Sequence, residues 1–177
     1  MVEFDLVAAL VAGVVATVVM SAMMAMAASA GMTDMPTMPL ISGAMVTGDR
    51  SAANRIGSVM HYLVMGTIAF GIAYGLLFTA FDDDSWWIGA LIGLAHGLVV
   101  GLVFMPMMPM LHPRMSRGVV AGPPPGRATV ATDQRGEVQI TAPGVLGKNW
   151  GRRTPLGMVM GHVVYGLVLA LVYGWIA

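Results

Sequence analysis

Within one apolar run glycine returns every fourth residue, at Gly89, Gly93, Gly97 and Gly101. At helical pitch these four line one face, and in lipid a face without side chains lets a second helix axis come close. Four runs of the 177-residue chain are apolar and long enough to cross a bilayer, which takes about 20 residues each. They fall at residues 6–31, 56–81, 86–105 and 155–176, and none contains Asp, Glu, Lys or Arg. The expected fold is all-α: a four-transmembrane-helix bundle forming one membrane domain over residues 1–177. The other runs carry small-residue stripes too, with Gly71 and Gly75 in the second and Gly166, Ala170 and Gly174 in the fourth.

The flanks set an orientation. All nine basic residues lie in the first and third connections, whereas the second holds Asp82, Asp83 and Asp84 and no Lys or Arg. The positive-inside rule then places connections one and three in the cytoplasm and both termini outside, in the cell membrane. Ala28-Ser29-Ala30 has the look of a signal-peptidase site, but the flank before the first run is acidic (Glu3, Asp5), which speaks against a signal peptide. Trp86, Trp87 and Trp175 are expected at the outer interface, and Trp150 in the headgroup layer with nearby arginines on lipid phosphates.

Met35-Pro36-Thr37-Met38-Pro39 follows the first run and Met105-Pro106-Met107-Met108-Pro109 the third. Gly57, Val59, Met60 and Gly66 correspond to Gly157, Val159, Met160 and Gly166. The chain therefore reads as two helical hairpins in one orientation, related by a parallel pseudo-two-fold repeat. The third connection, about residues 112–154, is read as irregular: Pro123-Pro124-Pro125-Gly126 opens it, and Arg135-Gly136-Glu137 suggests a turn between short strands at 128–132 and 138–141.

Several stretches resemble a known group. They are Gly13-Val14-Val15-Ala16-Thr17-Val18-Val19-Met20-Ser21; His61-Tyr62 with Gly66, Gly71 and Tyr74-Gly75; and Gly147-Lys148-Asn149-Trp150-Gly151 with Thr154-Pro155-Leu156-Gly157 and Gly161-His162-Val163-Val164-Tyr165-Gly166. Together they resemble a family of small bacterial and archaeal four-helix integral membrane proteins of unknown function. The resemblance implies a membrane fold and brings no catalytic residues.

Candidate chemistry within the apolar runs and at their ends rests on His and Met. His61 and His162 lie at similar depth in the second and fourth runs, and His96 near the middle of the third. An imidazole in lipid needs a partner: a backbone carbonyl or hydroxyl, or else haem b or copper. Of the 18 methionines, all but Met1 gather at the cytoplasmic ends. Thioethers select Cu(I), so Met35, Met38, Met105 and Met108 with His112 form a candidate copper surface, provided proline breaks the helix there and exposes sulfur. The alternative is that methionine is adaptable filler. Residues 82–84 are either a solvated turn or a divalent-cation site, and Glu3 and Asp5 are read as an exposed end.

Cysteine is absent, which removes disulfides, thiolate zinc and iron–sulfur clusters. Net charge is zero and gives no argument for nucleic acid. No phosphate-binding loop, dinucleotide fingerprint or metalloprotease motif is present, and no carboxylate relay lies within the runs. The leading expectation is a non-catalytic structural or accessory subunit of a larger membrane complex, of respiratory or metal-containing oxidase type. Its partners would be the bilayer and other subunits or further copies of itself. The alternatives are a haem- or Cu(I)-binding protein using His61, His162 and His96, and a small oligomeric transporter or channel.

Overall fold

The computed structural model describes residues 1–115 and 129–177. The proline run at residues 123–126, Arg117, Arg127 and the start of the first expected strand lie outside them. Among the described residues four helices are long and apolar enough to cross a membrane: α1 (Leu6–Ser29), α3 (Arg50–Phe81), α4 (Trp86–Leu111) and α5 (Thr154–Ile176). A short α2 (Met38–Ala44) lies between the first two. A hairpin of β1 (Val130–Thr132) and β2 (Val138–Ile140) follows α4, paired antiparallel with Ala131 opposite Gln139.

Helix ends follow local chemistry. The Asp5 carboxylate accepts from the Ala8 N–H at 2.8 Å, and Tyr173 Oη accepts from the Asp5 N–H while donating to the Glu3 carbonyl. Glu3 is exposed as expected, whereas Asp5 is half-buried and serves as the cap of α1. Gly31 stops α1 with φ +67°: its N–H reaches the Ala28 carbonyl, and the Met32 N–H reaches that of Ala27. This is a Schellman stop, which needs a left-handed residue. α3 starts at Arg50 rather than Ile56 because Asp49 caps it, accepting from the Ala52 N–H. α4 runs past Met105 to Leu111, so proline does not break it. Wide π-type turns over Val100–Phe104 precede Pro106 and relieve its clash with the turn before.

The chain forms two compact units. Unit one comprises Met1–Met24, Tyr62–Gly97 and Val159–Ala177. Its helices meet along small residues. A methyl group on Gly13 would lie 2.8 Å from the Gly66 carbonyl oxygen, and one on Gly71 2.6 Å from that of Ala9. A methyl on Gly89 would overlap the Gly166 carbonyl, and one on Gly166 that of Gly89. So α1 meets α3, and α4 meets α5, backbone to backbone. Gly75 faces Phe4 and Ala9, and Gly174 faces the Asp84 carboxylate. Ala8, Ala9, Ala12 and Ala16 pack with Tyr74, Phe78, Tyr165, Leu169 and Tyr173 to form the core.

Unit two comprises Ala25–His61 and Leu98–Met158. α2 lies on the first turns of α3, where side chains at Gly43 and Gly57 would run into the Ala53 and Pro39 carbonyls. Gly101 accommodates Leu146 and Met158. The hairpin docks through backbone bonds, Val138 N–H to the Gly48 carbonyl and Ile140 N–H to that of Arg114. Arg114 pairs with Glu137 at 3.2 Å and donates to the Ala44 carbonyl.

Candidate functional site

Unit one carries a polar cluster among its aromatic side chains. The Tyr74 hydroxyl lies 3.2 Å from His96 Nδ1. The Phe70 ring stands 4.2 Å from the His96 ring, and His162 meets His96 edge-on, with centroids 4.6 Å apart at 76°. Tyr165 stands 5.4 Å from Tyr74, and its hydroxyl donates to the Gly66 carbonyl at 2.7 Å. Glycine makes the room: a methyl on Gly93 would overlap the His162 carbonyl, and one on Gly97 would lie 3.0 Å from His162 Cβ.

The Tyr165 bond has a backbone cause. Residues Val59–Ala69 of α3 form π-type turns, then α-helix resumes at Phe70. Returning from i+5 to i+4 spacing leaves one carbonyl more than there are N–H donors. In lipid that carbonyl needs another donor. Two hydroxyls serve this stretch, Thr67 on the Tyr62 carbonyl and Tyr165 on that of Gly66.

The cluster joins His96 and His162, whereas the sequence reading had put His162 chiefly with His61. His61 belongs to unit two and is half-buried. The pair is too close for haem between the rings: metal–nitrogen bonds of about 2 Å on either side of an iron put ring centres roughly 6 Å apart. A tetrahedral ion holding both rings puts them roughly 5 Å apart, nearer the observed spacing.

In unit two, His112 is buried and both its ring nitrogens are engaged. Nε2 lies 2.9 Å from the Ile41 carbonyl, and Nδ1 accepts from the Arg114 N–H at 3.2 Å. That arrangement places the ring proton on Nε2 and leaves no lone pair for the candidate copper site. Met105 is buried against Gly147, while Met35, Met38 and Met108 are half-buried. The two Met-Pro-x-Met-Pro segments differ locally: Met38 opens α2 behind its Thr37 cap, whereas Met105 begins the last turns of α4. Among the described residues no group of three or more His, Asp or Glu is placed to hold a metal ion.

Trp150 corrects the headgroup expectation, because it is fully buried in protein. Its indole N–H donates to the Thr141 carbonyl at 2.8 Å. Its own carbonyl accepts from the Asp34 N–H at 2.7 Å and the Thr154 hydroxyl at 2.8 Å. The Thr33 and Thr154 hydroxyls meet at 2.7 Å. Gly144, Gly147 and Gly151, all at positive φ, turn the chain around this indole.

The three consecutive aspartates have separate tasks. Asp82 accepts from the Val2 N–H and pairs with the N-terminal ammonium at 3.6 Å. Asp83 accepts from the Ser85 N–H ahead of α4, and Asp84 rests on Gly174.

Tyr74, Tyr165 and Trp150 were not singled out as site residues from sequence. A signal existed for the tyrosines: three of the four stand directly before a glycine, at Gly75, Gly166 and Gly174. No family model matches the chain, and no curated protein and no solved structure matches it.

Proposed function

We propose that the protein is a non-catalytic integral membrane component, a structural or accessory subunit of a larger complex of respiratory or metal-containing oxidase type. One observation carries this reading: the polar side chains within the bundle are used to hold it together. Tyr74 is on His96, Tyr165 on the Gly66 carbonyl and Tyr173 on the Glu3 carbonyl. Outward, between 28% and 44% of each span's most apolar window is buried, so most of each helix is left for lipid or a partner subunit. Connections one and three face the cytoplasm in this proposal. A duplicated hairpin is supported by the matching tasks of Gly66 and Gly166, each at the seam with the preceding long helix.

Extraction from native membranes in mild detergent, with mass spectrometry of what migrates with the protein, tests the proposal. Stoichiometric membrane subunits are the expected companions, and migration as a lone small protein contradicts it.

The His96–His162 contact favours a second reading, a small soft metal ion such as Cu(I) held by both imidazoles, with Tyr74 orienting His96. Elemental analysis of wild type and His162→Ala decides it. Metal present in the first and lost in the second supports ligation, and equal content in both removes it.

A further inference from the structure

Unit two has an open pocket of about 350 Å³ between the segment that leaves α1, residues 31–34, and the segment that enters α5, residues 151–153. Arg152 and Arg153 line it and are exposed, and among the described residues neither guanidinium has an ion pair. Asp34 also lines it, leaving two cationic residues against one anionic one.

The walls are held from beneath. The Asp34 N–H is bound to the Trp150 carbonyl, and the Thr33 hydroxyl to the Thr154 hydroxyl. Gly151 has φ +126°, and a side chain there would press on the Thr154 hydroxyl. The two arginines are therefore borne on a backbone fixed by a buried indole. Apolar side chains flank the same opening, with Met32 43% exposed on one wall and Leu156 68% exposed just past the other.

Unpaired arginine beside exposed apolar surface, where a membrane-crossing helix begins, has the chemistry of a lipid headgroup site. Guanidinium groups bind phosphate oxygens in paired fashion, and acyl chains continue along the apolar side chains. We propose that this pocket binds the phosphate of an anionic phospholipid, with Arg152 and Arg153 on the phosphate and the chains along Met32 and Leu156. The two arginines set its preference for lipids of net negative charge over zwitterionic ones, and Asp34 weakens that preference.

Native mass spectrometry of the full chain in detergent, with phosphatidylglycerol or phosphatidylcholine of matched chain length added, tests this. Arg152→Gln with Arg153→Gln should lower retention of phosphatidylglycerol about tenfold and that of phosphatidylcholine, whose phosphate is offset by its own ammonium group, by less. Arg135→Gln, at the exposed hairpin turn, should change neither. Asp34→Asn should raise phosphatidylglycerol retention, which keeps the test decisive if the double variant fails to fold. Equal retention in the double variant, or no rise in Asp34→Asn, overturns the proposal. Displacement of the lipid by excess inorganic phosphate, with phosphate itself bound by the wild type and not by the double variant, assigns a free phosphate instead and also overturns it.

Discussion

The two units solve one problem by opposite means. Unit one brings helices together by leaving side chains out: Gly13 against Gly66, and Gly89 against Gly166. Its backbone groups are mostly satisfied within helices, so contact is van der Waals packing closed by aromatic rings. Unit two holds irregular chain, and irregular chain has carbonyls and N–H groups that need partners from elsewhere. There the links are directional: Trp150 on Thr141, His112 on Ile41, Arg114 on Ala44 and Glu137. Tolerance to substitution should differ accordingly. Unit one fails when atoms are added and the irregular chain of unit two when they are removed, while the α2–α3 contact of unit two, at Gly43 and Gly57, behaves as unit one does.

The largest effect is expected at Trp150. Trp150→Ala empties a fully buried site and orphans the Thr141 carbonyl, for a loss of about 3–5 kcal/mol. Trp150→Phe should recover most of the packing and retain a deficit of about 1–3 kcal/mol from the missing donor. Reversible unfolding by denaturing detergent, followed by circular dichroism, reads both. A pair of glycines sharpens the other side of the contrast. Gly166→Val pushes atoms into the Gly89 backbone and should cost about 1–3 kcal/mol or more, whereas Gly157→Ala meets nothing within 4 Å and should gain slightly from helix propensity. Equal losses at the two positions would contradict close packing as the cause.

Tyr165→Phe removes the hydroxyl on the Gly66 carbonyl and keeps the ring. Hydrogen bonds within membrane bundles average about 0.6 kcal/mol, so a loss near that value is expected. A loss as large as that of Gly166→Val would shift the weight in unit one from packing to polar bonds. The smallest effect concerns the hairpin turn. N–H donation from Glu137, then from Arg135 and the Gln139 side chain, holds the Asp133 carboxyl below its ordinary value of 3.8. A depressed folded-state value stabilises the turn above the unfolded one, and that support fades as pH falls through the folded value. An NMR titration of Asp133 should give a midpoint below 3.8, with the turn amides losing protection over the same range.

Sequence made the spans legible because an unbroken apolar stretch has one reading in a bilayer, and the small-residue stripe indicated which face of α4 meets a neighbour. It misplaced helix ends where a cap lay outside the apolar run, as at Asp49, or where π turns accommodated proline, as before Pro106. The candidate site was legible in part. His96 and His162 stood out as polar groups in apolar runs, but which imidazole faces which depends on helix rotation, and that is set by Gly93 and Gly97 lying against His162. Trp150 was misread because a tryptophan beside arginines suits a headgroup layer equally well; only the three glycines at positive φ distinguish a chain folded around an indole from one lying in the interface. Tyr165 went unassigned because its partner is a carbonyl that exists as an acceptor only where π turns end.

The absence of cysteine makes one measurement especially direct. Single cysteines at Asp83 and at Gln134, in intact cells, can be tested with a membrane-impermeant maleimide before and after the membrane is opened. Four crossings with the arginine-bearing connections inside require Asp83→Cys to react at once and Gln134→Cys only after opening. Reaction of both positions from the same side would contradict four lipid-embedded spans, and with them the central claim.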